Sequence, residues 1–267
     1  MPSTDPLPIE VPIVTGLIVA SFMTGITSYT WGRNYGDVTC RYVFPFSPAA
    51  QAFGIWGMLW VLTAVSTTLQ FVVYANGGDV FAAPEATALL TGAWTCAAAW
   101  PIFFSKTDES GYVRAAVLLV LSALLAFSAA VYESLWSPRD STGALIRLVF
   151  VNPAYSVLPG WVSLAATINV YIAVASRQRP RQAQCLPDEY PRDYSIVDQF
   201  SDDHVASSPV ALPLLLSIPF GITAVLVRDM LLPVSLLWGI GWMRPNGLNN
   251  VAFLFLAVCC VVVYFRG

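Results

Sequence analysis

The residues of this chain whose types and spacing suit chemistry are tryptophans and an asparagine, and the chemistry they suit is binding. Phe53, Trp56 and Trp60 stand at i, i+3 and i+7 in the run Phe53-Gly54-Ile55-Trp56-Gly57-Met58-Leu59-Trp60, on one face of a helix. Trp161, Ala165 and Asn169 stand at i, i+4 and i+8 and stack in the same way. Trp100 closes a third run, which begins at Trp94 and continues as Pro101-Ile102-Phe103-Phe104. Indole faces give flat apolar molecules a large contact area, and an aromatic pair adds about 0.5–1.5 kcal/mol beyond burial. Ala165 keeps the wall beside Trp161 thin, and Asn169 offers a hydrogen bond to a carbonyl or carboxylate. The plainer reading of Trp56 and Trp161 is ordinary helix packing. For Asn169 and Thr167 it is an interhelical tie, worth about 0.6 kcal/mol on average in a bilayer.

Other chemistries lack their residues. His204 is the only histidine and lies in Asp202-Asp203-His204, which reads as a solvated acidic loop, so histidine-rich di-iron sites and bis-histidine haem ligation are excluded. The only lysine, Lys106, follows the third apolar run and is placed wrongly for a mid-membrane Schiff base. Five cysteines (Cys40, Cys96, Cys185, Cys259, Cys260) show neither CxxC spacing nor an even count, so no disulfide framework or zinc site is indicated. No nucleophile and base pair for hydrolysis can be identified. The expectation is a protein that is not an enzyme, requires no cofactor and has no metal or nucleic acid partner.

The elements that must carry these residues are membrane helices. Of 267 residues, 57% are hydrophobic and 11% charged, against about 25% charged in a soluble domain. Mean hydropathy is +0.65. The apolar residues come in blocks of about 20, enough to cross the roughly 30 Å hydrocarbon core as helices. The fold class is all-α, a polytopic helical bundle with the lipid bilayer as its surroundings. Helices are predicted at about 11–30, 49–74, 86–104, 112–135, 154–176, 209–227, 230–243 and 248–265. The segment 230–243 contains Pro233 and spans only about 20 Å. It is tilted, re-entrant or a continuation of its predecessor, which leaves seven or eight helices. Met1–Glu10 has no Lys or Arg, so the first apolar run reads as a retained helix rather than a signal peptide.

A polar stretch holding four Arg and six acidic residues, with Pro180, Pro187 and Pro191, interrupts the pattern. It divides the chain into a five-helix unit (1–177), a polar cytoplasmic linker (178–208) and C-terminal transmembrane helices (209–267). Alternate loops hold nine of the Lys and Arg residues against four for the other set, which puts the loop 32–47 on the cytoplasmic side and the N-terminus opposite. Trp31, Trp136, Trp238 and Trp242 fall near helix ends and read as interfacial anchors. The small residues Ser122, Ala126, Ala129 and Ala130 predict close helix packing. Glu133 and Asp229 fall near helix ends, and no carboxylate sits at a predicted midplane, which argues against proton-coupled transport.

The three tryptophan strings, in this order and spacing, resemble the translocator protein (tryptophan-rich sensory protein) family. That family carries FG then WxxLY in its second helix, WPxIFF at the end of its third and WxxFATxxN in its fifth. The resemblance covers roughly residues 11–177 and leaves the C-terminal part as an extension. Here Phe53-Gly54 sits one residue nearer to Trp56, Trp60 replaces the family tyrosine, Cys96 or Ala97 stands where the family has Asn, and Pro101 is single. The resemblance implies a five-helix bundle with a pocket open toward the cytoplasmic side, covered by the loop between the first two helices. It implies a hydrophobic ligand such as a tetrapyrrole, sterol or aromatic drug, held by Phe53, Trp56, Trp60, Trp100, Trp161, Ala165 and Asn169. It also implies a homodimer. The alternatives are a passive or secondary transporter of a small hydrophobic solute, and a membrane adaptor working through its C-terminal helices.

Overall fold

The computed structural model describes residues 52, 54–76, 82–105, 108–136, 147–178, 212–229, 231–241, 243 and 247–266. The predicted helix 11–30, the loop 32–48, Phe53 and the polar stretch from 179 to 208 lie outside the described residues. The described elements are α1 (Ile55–Ala75), α2 (Pro84–Phe104), α3 (Glu109–Trp136), a π-helical turn (Arg147–Val151), α4 (Asn152–Ser156), α5 (Leu158–Gln178), α6 (Leu212–Val227), α7 (Val234–Gly241) and α8 (Gly247–Arg266). Every described element is helical, as the composition requires.

Local sequence sets where these helices begin. Pro84 opens α2, where its missing N–H would lack an intrahelical partner anyway. The preceding Ala83 N–H donates to Glu133 Oε2 at 3.0 Å, so a buried carboxylate from α3 meets the positive end of α2. Asp108 starts α3, its carboxylate accepting from Gly111 N–H. The predicted helix 154–176 is broken at Val157. Pro159 has no N–H to donate to the Tyr155 carbonyl, so α4, which follows the π-helical turn, ends at Ser156 and α5 begins at Leu158.

The central helix is α3, which packs closely against both α2 and α5. Ser122, Ala126, Ala129 and Ala130 are all buried there, and Ser122 Oγ donates to the Ala93 carbonyl of α2 at 2.8 Å. Small side chains let the backbones approach until a hydroxyl of one helix reaches a carbonyl of the next. At one end of the bundle Arg177 of α5 pairs with Glu109 of α3 at 2.7 Å, and Arg114 lies 5.8 Å over the Phe103 ring. Glu133 and Asp229 belong to the opposite end.

The predicted segment 230–243 forms only the eight residues of α7, about 12 Å long and too short to cross a bilayer alone. It is not a continuation of α6: Arg228, at φ 58°, turns the chain out of α6, and Pro233 precedes α7. α6 and α8 pack side by side, with Gly221 facing Phe255 and Cys259. α7 lies on α5, and the Phe220 ring of α6 meets Phe127 of α3 at 5.2 Å. Among the described residues four helical stretches, Ile55–Val73, Glu85–Phe104, Glu109–Leu135 and Val149–Val174, are long and apolar enough to cross a membrane. Two shorter apolar stretches are Leu215–Val227 and Asn250–Phe265. Large apolar side chains such as Val61, Leu124, Leu226 and Leu254 point outward, where lipid would meet them.

Candidate functional site

The site is a cluster of five indoles between α1, α2 and α5. The backbones of these three helices make few close approaches to one another, in contrast to the tight contacts of α3. Tryptophan rings fill the space between them. Trp56 of α1 is the hub: its ring lies 6.5 Å from Trp60, 6.3 Å from Trp94, 6.2 Å from Trp100 and 6.2 Å from Trp161. It stacks with Trp100 at 19° and meets Trp161 edge-on at 87°. These separations and tilts are the ones aromatic quadrupoles favour. Trp100 continues to Phe104 at 5.2 Å, and Phe104 to Tyr112 at 5.9 Å.

The sequence predicted most of this assembly. Trp56, Trp60, Trp100 and Trp161 come together from three helices, and Ala165, buried on α5, lies one turn beyond Trp161. Asn169 is drawn in by a bond to protein: Trp100 Nε1 donates to Asn169 Oδ1 at 2.9 Å, and Asn169 Nδ2 donates to the Ala165 carbonyl at 2.9 Å. Both ends of the amide are thus engaged, the oxygen across the gap to α2 and the nitrogen within α5. Phe53 lies outside the described residues. Trp238, read as an anchor, is half exposed and also donates from Nε1 to the Ala52 carbonyl at 3.2 Å, so it ties α7 to the entry of α1.

Two features escaped the spacing argument. The first is Trp94, six residues before Trp100 and so off its face, yet fully buried against Trp56. Its Nε1 has no hydrogen-bond partner among the described residues. The second is the far half of α1, where Thr63, Ser66, Thr67 and Gln70 are buried. Trp56, Trp60, Thr63, Thr67 and Gln70 follow one another at steps of four and three, so a single face of α1 carries indoles first and polar groups after. That repeat of steps is present in the sequence, but its second half carries no aromatic residue. Near the same end of the bundle Thr87 Oγ1 and Tyr155 Oη are 3.0 Å apart.

Among the described residues the cluster contains indoles, an amide and hydroxyls, and no carboxylate, imidazole or amine. Among the described residues no group of three or more His, Cys, Asp or Glu is placed to hold a metal. Such an arrangement can grip a flat apolar body and offer it hydrogen bonds. A family profile described as TSPO-like protein matches residues 10–182, a span that takes in α1 to α5. No curated protein and no solved structure gives a match.

Proposed function

The chain belongs to the TSPO-like protein family, and from that premise we propose that it binds a planar hydrophobic ligand, of the tetrapyrrole or sterol kind, between its transmembrane helices. It is a multi-pass membrane protein of the TSPO type, with four helices among the described residues long and apolar enough to cross the bilayer. The observation that carries the proposal is the hub geometry of Trp56, which gathers four other indoles from α1, α2 and α5. Five indoles meet where the backbones of three helices stand apart. A planar ligand that separates two of the rings exchanges indole contact for its own, with little loss. Family membership and the cluster support binding rather than catalysis, with Phe53, Trp56, Trp60, Trp100, Trp161, Ala165 and Asn169 as the ligand's contacts.

The test is a tryptophan-fluorescence titration of the purified protein in nanodiscs with protoporphyrin IX, alongside Trp161→Ala. Saturable quenching at micromolar ligand is expected, weakened at least tenfold by the substitution, about 1.4 kcal/mol. Quenching that rises linearly with added porphyrin, as in empty nanodiscs, would remove the proposal.

A further inference from the structure

The face of α1 changes character along its length, and that change specifies the ligand further. Its first two turns present Trp56 and Trp60, and its next two present Thr63, Thr67 and Gln70 with Ser66 beside them, all four at most 5% exposed. Thr63 Oγ1 donates to the Leu59 carbonyl at 2.8 Å, and Thr67 Oγ1 to the Thr63 carbonyl at 2.7 Å, which leaves the lone pairs of both hydroxyls. The Gln70 amide makes one bond, from Nε2 to Ser66 Oγ at 3.3 Å, of the four it can make. Trp94 belongs to the same place. It lies about 9 Å along α2 from Trp100 toward Thr87, with its ring against Trp56, and its buried Nε1–H has no partner among the described residues. Burying a donor without an acceptor is costly, so two separate elements here hold unused hydrogen-bonding capacity.

These groups are dipoles, not charges. The Glu133 side chain is buried at the start of α2. It accepts from Ala83 N–H, one turn from Thr87. A charged head group would lose its water among the dipoles of α1, which carry no net charge.

Resting on the binding reading above, we infer that the ligand is amphipathic and bound in one direction. Its flat apolar body lies against the tryptophans. An uncharged head bearing a hydroxyl or carbonyl points along α1 toward Thr63, Thr67 and Gln70, with an acceptor within reach of Trp94 Nε1.

Three porphyrins with nearly the same ring separate the possibilities: etioporphyrin, which carries only alkyl groups, mesoporphyrin IX dimethyl ester, which adds neutral carbonyls, and mesoporphyrin IX, the diacid. Each is titrated by indole quenching in nanodiscs and corrected for partition into empty nanodiscs. The dimethyl ester is expected to bind at least tenfold tighter than either of the others. Gln70→Leu should reduce that advantage at least threefold while leaving etioporphyrin affinity unchanged, which a merely structural role would not do, and Trp94→Phe should reduce it at least threefold beyond any loss common to all three porphyrins. Equal affinity for ester and etioporphyrin, tightest binding by the diacid, or an advantage that persists in both variants overturns the inference and leaves the binding reading standing. Failure of all three porphyrins to saturate overturns both. Gln70→Met serves in place of a variant that loses its helical signal or elutes aggregated.

Discussion

At the scale of the residue, the bond between Trp100 and Asn169 decides how the cluster is held. Asn169→Ala leaves the Trp100 Nε1–H buried without its acceptor, and the expected loss of stability is about 1–3 kcal/mol. A double-mutant cycle with Trp100→Phe isolates the pair itself, expected nearer 0.6 kcal/mol, roughly the bilayer average. Chemical denaturation in detergent micelles measures both; a single substitution costing less than the coupling would show that the amide is idle. Trp56, Trp60 and Trp100 were legible because each lies on a helix face shared with another aromatic, and Trp161 because Ala165 and Asn169 follow it at steps of four. The partner of Asn169 was not legible, because α2 and α5 meet only through long side chains and no local spacing records that.

At the scale of the element, glycine sets how closely α7 lies on α5. A Cβ on Gly160 would stand 2.9 Å from the Leu236 backbone nitrogen and closer still to Ser235 Oγ, whose hydroxyl donates to the Val157 carbonyl. A Cβ on Gly239 would meet Leu164 Cδ2 at 2.2 Å, the mobile end of a side chain. Gly160→Ala must therefore displace α7, whereas Gly239→Ala needs only a rotamer change at Leu164. The first is expected to cost about 1–3 kcal/mol and the second less. Thermal unfolding in detergent would give the order, and the reverse order would mean that the α5–α7 contact is loose. Helix existence was readable from apolar block length. The break at Val157 followed from Pro159 only once the packing of α4 against α1 and α3 was visible. The brevity of α7 hinges on the left-handed Arg228, which no pattern announces.

At the scale of the whole molecule, Asp229 joins the C-terminal helices to the rest. Its carboxylate accepts from Ser156 Oγ of α4 and from Leu231 N–H at 2.9 Å. Burial pushes its pKa above the ordinary carboxylate range, against the opposing pull of hydrogen bonds from Ser156, Leu231, Leu232 and Ser134. The folded protein therefore holds this proton more tightly than the unfolded chain. Its contribution to stability is full below the ordinary aspartate value and falls as pH rises from there through the raised folded value. Melting temperature should decline across that window in the parent protein, and Asp229→Asn should flatten the decline; an unchanged slope would assign it to other groups. Family membership was visible from three short strings, because they sit in the helices that build the cluster. How the extension packs was not, since its contacts depend on Gly160, Asp229 and Ser235, which carry no motif.

The position of α7 also orders the making of the protein. Gly239 lies behind Trp161, with its added Cβ 3.5 Å from the indole, so α7 forms part of the wall against which that ring rests. Roughly 55 residues separate the end of α5 from the start of α7, and at about 5–20 residues per second the ribosome needs on the order of 3–11 s to cover them. For that interval the newborn α5 presents this side of Trp161 to lipid or to the insertion machinery, and the aromatic cluster gains its last wall only when the C-terminal third has been translated.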